Sequence, residues 1–236
     1  MADEHHAIRT AFILGAGLGT RLRPLTAGCP KPLLPVRGRP IITYAMDHLL
    51  TVGVERFIVN THHCAHIYET IFPDSRWRGY PITFRFEPDL LNTGGGLKNI
   101  EDLLENDEAI FVYNGDIMTD LPLIKLREGH RAGGKEVTLA LRSTGSPLNV
   151  SLDEHGWICD FRFVLSASAV RRCLFTGLYI VTRPFFRRLD AGAKQDVVTI
   201  FLDMLREYPG SVGSVVIDEG AWHEIGSLEA YEEVNK

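Results

Sequence analysis

In "FILGAGLGTRLRPLTAGCPKPLLPV", residues 12–36, a cluster of three glycines at 15, 17 and 19 shares one stretch with a set of cations. A glycine-rich turn directly after an apolar strand lets backbone N–H groups approach a phosphate. Gly15, Gly17 and Gly19 supply such a turn, and Arg21, Arg23, Lys31 and Arg37 follow among prolines that stiffen the chain. Amides near the glycines can wrap a polyphosphate while Arg21 and Lys31 neutralise its oxygens. A glycine turn with solvated surface charges fits the same residues, and the stretch alone leaves both readings open. Two familiar phosphate sites are excluded. A dinucleotide-binding turn needs its third glycine where Thr20 stands, and Pro24, Pro30, Pro32 and Pro35 prevent the helix that must follow. A P-loop needs a glycine at that same Thr20.

A second chemical candidate is Asp116 in "YNGDIMTD", just beyond the carboxyl end of an apolar run. Open α/β sheets bind ligands at that end of their strands. A carboxylate there either serves a ligand or merely ends the strand. His62, His63, Cys64 and His66 invite a metal reading, since His62 and His66 have helical i, i+4 spacing, but no third ligand completes a zinc site. The histidines are expected to line the cleft instead. Cys29, Cys64, Cys159 and Cys173 form no C-x-x-C pair and read as reduced structural thiols.

The elements that must position these groups alternate. Ala11 to Leu14, Phe57 to Val59, Ile82 to Phe86 and Ala109 to Tyr113 read as strands bounded by Gly, Pro, Asn or Asp. Pro40 opens a helix with Ile41, Ala45, Leu49 and Val52 on one face and Gly53 at its end. Thr93 is placed to cap another, with Leu97, Ile100 and Leu104 inward. This order implies a Rossmann-like, mostly parallel sheet flanked by helices. From Glu136 the pattern changes to a small β extension: Val137 to Leu141, Val150 to Leu152 and Trp157 to Phe163, the last two joined by a hairpin at "DEHG". "LFTGLYIV" and "SVGSVVID" follow as strands around a helix that Asp196 caps, with Val197, Ile200, Phe201 and Leu205 inward. No linker or repeat divides the chain, so residues 1–236 are expected to form one domain.

Composition narrows the partners. A net charge of −5 gives no basic field for nucleic acid or an anionic membrane. The polar N-terminus followed by only a short apolar run argues against a signal peptide or membrane span, and the expected location is cytoplasmic.

"GAGLGTRLRPLT" followed by "PKPLLPV" closely resembles the two-part signature of the sugar-1-phosphate nucleotidylyltransferases. "VGVERFIVNTHH", "EPDLLNTGGGLKN", "FVYNGDIMTD", "LFTGLYIV" and "AWHEIGSLEAY" resemble that family's successive blocks in order, so the likeness runs from about Ala11 to Tyr231. The short branches look nearest, above all the N-acetylmuramate-1-phosphate uridylyltransferases, then the mannose-1-phosphate guanylyltransferases. The resemblance implies transfer of a nucleotidyl group from a nucleoside triphosphate to a sugar 1-phosphate with release of pyrophosphate, in cell-wall or polysaccharide biosynthesis. The expected pairs are N-acetylmuramate 1-phosphate with UTP or mannose 1-phosphate with GTP. A non-catalytic nucleotide-sugar sensor and a transferase for another phosphate, such as phosphocholine, are the alternatives. The enzyme is expected to be a monomer or homodimer. Only five residues follow Tyr231, so no hexapeptide-repeat acyltransferase domain is expected.

The resemblance also implies residue roles. Arg21 and Lys31 match the family's catalytic cations, and Asp116 its Mg²⁺ ligand. Glu224 stands where the family usually has an aspartate as second metal ligand. Leu14, Gly15, Ala16, Gly17, Gly19 and Thr20 are implied as nucleotide contacts, with Thr93, Gly94 and Gly95 against the base and Glu87 and Asn92 beside it. Asn114, Thr176 and Gly177 fall near the sugar site. After the hairpin, many long members carry a Glu-Lys-Pro whose lysine meets the sugar phosphate. Here the chain reads "WICDFRFVLSAS", and Arg162 is the candidate substitute.

Overall fold

The structure is a computed structural model and describes residues 7–104, 107–165 and 169–236. β1 (Thr10–Leu14) leads through the glycine stretch and two short strands, β2 (Pro35–Val36) and β3 (Arg39–Pro40), into α1 (Ile41–Leu50). β4 (Arg56–Thr61), α2 (His66–Ile71), β5 (Arg76–Trp77), β6 (Tyr80–Phe86) and α3 (Asn92–Lys98) follow. β7 (Ala109–Asn114), β8 (Ile117–Thr119) and α4 (Leu123–Gly133) close the first half. The second half holds β9 (Val137–Arg142), β10 (Val150–Leu152), β11 (Ile158–Phe161), β12 (Arg171–Thr182), α5 (Val197–Glu207), β13 (Val212–Val216), β14 (Trp222–Glu224) and α6 (Leu228–Asn235).

β6, β4, β1 and β7 lie side by side and parallel, as the alternation of strands and helices predicts. The interiors of β1, β4 and β7 are continuous apolar runs because both faces of the sheet are covered there. β12 then runs antiparallel to β7 through Leu178–Thr182, pairs with β9 on its other edge, and through Arg171–Cys173 carries the β10–β11 hairpin. β13 joins β9 in parallel. On one face Ile42, Ala45, Met46 and Leu49 of α1 pack with Leu123 and Leu126 of α4. On the other, α3 and α5 cover the sheet, and Phe201 stacks among Phe161, Tyr179 and Phe185 with ring centroids 5.7–5.9 Å away. These aromatic contacts fix α5 against both the main sheet and the hairpin.

A third, smaller core joins Leu22, Leu34, Val36 and Ile41 to Met118, Ile225 and Val234. It binds α6 to the far side of the glycine stretch. The Tyr231 hydroxyl donates to the Pro35 carbonyl at 2.6 Å, and Arg37 donates through Nε to the Val234 carbonyl at 3.0 Å.

Three expectations need correction. Thr93 does not cap α3, which begins at Asn92 with no side-chain cap; its hydroxyl accepts instead from Val197 N, at the start of α5. The strand expected to run to Phe163 stops at Phe161, because Arg162 and Phe163 take positive φ angles of 54° and 61°. His62 lies outside the helix that starts at His66, so the i, i+4 relation is not realised. The Asp196 cap stands: its carboxylate accepts from Val198 N at 3.1 Å.

Candidate active site

The carboxyl ends of β1, β4 and β7 share one edge of the sheet, and a cleft of about 430 Å³ opens there. Leu14, Asn60 and Asn114, the last residues or nearly so of those strands, line it together with Ala16, Gly17 and Lys31. Glu87, just beyond β6, and Asn92 and Thr93 at the head of α3 add a second wall. Arg162 and Asp196 complete it.

The glycine stretch is held from behind. Gly15 N donates to Asn60 Oδ1 at 2.7 Å, and the Tyr68 hydroxyl donates to the Gly15 carbonyl at 3.1 Å. A Cβ on Gly15 would lie 2.7 Å from the Asn60 carbonyl, so no side chain fits. The Gly15 amide is thus committed to the protein, and Ala16 and Gly17 are the members of the stretch that border the cleft. Gly19 turns the chain with φ 61°, and its carbonyl accepts from Thr26 Oγ1 at 2.8 Å.

Lys31 opens a single 3₁₀ turn behind Pro30, with Pro32 next in line. Two prolines leave the backbone little freedom, so the side chain is aimed before any ligand arrives. Its Nζ donates to Asp116 Oδ2 at 2.5 Å, the pair being mostly buried. Asp116 follows Gly115, whose N donates to the Leu14 carbonyl at 3.0 Å and whose missing side chain lets the ends of β1 and β7 meet. Across from Asp116, β14 pairs antiparallel with β8, setting Glu224 opposite Ile117. Ile225 N donates to the Asp116 carbonyl at 2.9 Å. The sequence-distant backbone of Glu224 and Ile225 is thereby brought beside Asp116, while Glu224 itself is not among the residues that line the cleft. Arg21 stands at the rim, largely exposed, 3.9 Å from Glu224.

These two carboxylates are hard oxygen donors, the kind that hold Mg²⁺ when substrate phosphates supply further ligands. Among the described residues no group of three or more His, Cys, Asp and Glu is arranged for a metal. A dedicated all-protein cage is therefore not built here, and a one- or two-carboxylate Mg²⁺ site fits the residues present.

Other predicted residues are engaged by the protein's own groups. Glu87 is fully buried and engaged: Oε1 accepts from Asn60 Nδ2 at 2.7 Å and Oε2 from Leu91 N at 3.0 Å. The Cβ positions of Gly94 and Gly95 point at the Gln195 and Ala193 carbonyls, so their missing side chains admit the chain's own backbone where a base was expected. Thr176 is buried with its hydroxyl on the Ala140 carbonyl at 2.8 Å. Gly177, at φ 80° in an irregular stretch of β12, backs directly onto Asn114. Both thus stand behind the cleft wall that Asn114 forms. His62 and His63 brace loops, facing the Glu87 and Thr26 carbonyls at 2.8 Å each. All four cysteines are free thiols.

Sequence reasoning missed Asn60, the bridge between the glycine stretch and Glu87. Its signal was a lone amide at the end of the apolar run "RFIVNT". It also missed Asp160, a buried carboxylate whose Oδ1 accepts from Val164 N at 3.1 Å and Leu165 N at 2.9 Å, fixing the turn that carries Arg162.

A family model described as "Nucleotidyl transferase" matches residues 10–236. Mannose-1-phosphate guanylyltransferase of Mycobacterium tuberculosis is 31% identical over 225 residues, covering 94% of this chain and 62% of that protein. UTP--glucose-1-phosphate uridylyltransferase of Synechocystis is 30% identical over 206 residues, 79% of this chain and 52% of that one. The chain thus spans less than two thirds of the length of these curated relatives. Among solved structures, HddC from Yersinia pseudotuberculosis superposes with a TM-score of 0.77 at 22% identity, over 96% of this chain and 98% of that one, which is a likeness of fold. The match across nearly the whole chain places it in the nucleotidyl transferase family.

Proposed function

We propose that this chain, acting as a single domain, is a sugar-1-phosphate nucleotidylyltransferase that joins a nucleoside triphosphate to a sugar 1-phosphate. The observation that carries this reading is the Lys31–Asp116 pair, with the strand that bears Glu224 paired to the next residues, at the strand ends behind the glycine stretch. The chemical problem is attack of one phosphate on another. Positioning and charge screening answer it, and no side-chain nucleophile is needed.

In this reading the triphosphate lies along Ala16 and Gly17, with Lys31 and Arg21 neutralising its oxygens. An oxygen of the sugar phosphate attacks the α-phosphorus in line; the new P–O bond forms as the bond to the β-phosphate breaks, and pyrophosphate departs. Asp116 and Glu224 would hold Mg²⁺, which when bound supplies the charge that screens the two anions from each other. Lys31 leaves its carboxylate partner for the incoming phosphate, a charge-assisted exchange with little change in net charge. The substrate pairs we put forward are N-acetylmuramate 1-phosphate with UTP and mannose 1-phosphate with GTP, the second supported by the name of the Mycobacterium relative.

The test is pyrophosphate release with Mg²⁺ over a grid of nucleoside triphosphates and sugar 1-phosphates, with Asp116→Asn as control. Turnover in one dominant cell that the control loses supports the reading. Folded protein inactive in every cell overturns it.

A further inference from the structure

The wall of the cleft that carries Arg162 is built with unusual backbone. Arg162 and Phe163 both take left-handed φ angles, 54° and 61°, which cost a side-chain-bearing residue energy and favour glycine. The turn is nonetheless heavily fixed. Arg162 N donates to the Asn149 carbonyl at 2.7 Å, and the buried Asp160 carboxylate holds the Val164 and Leu165 amides. Such a conformation survives where the surroundings over-determine it. Its effect is to direct one guanidinium into the cleft that Lys31 and Asp116 also line.

There the guanidinium meets a carboxylate. Arg162 Nη1 donates to Asp196 Oδ2 at 2.7 Å, while Asp196 Oδ1 accepts from Val198 N and, at 3.3 Å, from Thr93 Oγ1. One oxygen of Asp196 is thus structural, ending α5, and the other serves the arginine. Both side chains are partly exposed, 54% for Arg162 and 34% for Asp196, so the ion pair is open to competition from a second oxyanion. A planar guanidinium accepts a phosphate as readily as a carboxylate.

We infer that Asp196 is an internal stand-in for the phosphate of the acceptor: it keeps Arg162 aimed into the cleft and yields it when a sugar phosphate enters. The inference rests on the transferase reading for the identity of the acceptor, but the exchange itself is a binding event. Asp196 stays in place as the helix cap when Arg162 lets go, so α5 need not move. Acceptor affinity is then set by a contest between two oxyanions for one guanidinium.

Isothermal titration of the intact protein with glucose 1-phosphate, mannose 1-phosphate and inorganic phosphate tests this, using wild type, Asp196→Asn, Arg162→Lys and Arg162→Gly. Asparagine still caps a helix but no longer competes as an anion, so Asp196→Asn is expected to bind the sugar phosphates three- to tenfold more tightly. Arg162→Gly is expected to bind them about tenfold more weakly while melting no lower than wild type, since glycine relieves the left-handed backbone. Arg162→Lys falls between. Weaker or unchanged sugar phosphate binding in Asp196→Asn overturns the inference, as does wild-type affinity in Arg162→Gly or binding by none of the four proteins. Binding that follows Asp196 in protein that never releases pyrophosphate retains the inference and defeats the transferase reading instead.

Discussion

Asp116 carries the largest burden of any single residue, because Lys31 and, through the Ile225 amide, the Glu224 segment both converge on it. Asp116→Asn removes the charge while keeping the shape. Turnover is expected to fall at least about 100-fold, the scale of losing one preorganised electrostatic contact in a transition state, with an unchanged circular dichroism spectrum. Gly15 is the opposite case, a residue whose importance is spatial. Gly15→Ala would drive a methyl group into the Asn60 carbonyl and the Tyr68 hydroxyl, both 2.7 Å from the new Cβ. Overpacking of this kind destabilises by about 1–3 kcal/mol, which urea denaturation would register. A Gly15→Ala protein as stable as wild type would show that the strand end has room to shift.

At the scale of elements, α5 supports the wall of the cleft formed by Arg162 and Asp196, with Asp196 at its head and Phe201 as its anchor. Phe201→Ala is expected to cost about 3–5 kcal/mol and to be visible as a lower denaturation midpoint. Most strands and helices were legible because their boundaries coincide with Gly, Pro, Asn or Asp and their periods are clean. The α5 cap was legible for the same reason, being a local signal. What could not be read were contacts made across the fold. Thr93 has the right chemistry for a cap, but the helix it serves is α5, far along the chain. "WICDFRF" alternates as a strand should, yet its end is bent away by Asp160, whose role depends on its burial. Asp116, Lys31 and Glu224 were legible as residues, from the motifs that contain them. That Asp116 and Glu224 belong together came only from the resemblance, because the β8–β14 pairing that joins their segments leaves no local trace.

The molecule as a whole should be sensitive to acid through two histidines remote from the reacting groups. Burial holds His48 and His130 below the ordinary imidazole value of 6.5. His48 is wedged between the Tyr113 hydroxyl and the Leu121 carbonyl, and His130 faces Thr138. Below 6.5 the unfolded chain takes up protons that the folded protein resists. Stability is therefore full above that value and lost as the pH falls through it, by up to about 1.4 kcal/mol per pH unit for each group. Urea midpoints at pH 7.5 and 5.5 would show the loss, and His48→Gln with His130→Gln should flatten it. A flat wild-type profile would assign both imidazoles an ordinary affinity for protons. A bound triphosphate should act in the opposite sense: at 100 times its dissociation constant it adds about 2.7 kcal/mol to the folded state, measurable as a rise in melting temperature.

The third small core has a bearing on the timing of synthesis. It ties the glycine stretch to β14 and α6, and Arg37 reaches Asn235 across 198 positions of sequence. A chain still emerging from the ribosome already holds Arg21, Lys31 and Asp116 once β8 is made, and its early strands can pair as they appear. It lacks Glu224 and the helix that clamps the back of the loop until β14 and α6 have followed. The hollow that Lys31 and Asp116 line is therefore backed on this side only once β14 and α6 have been made.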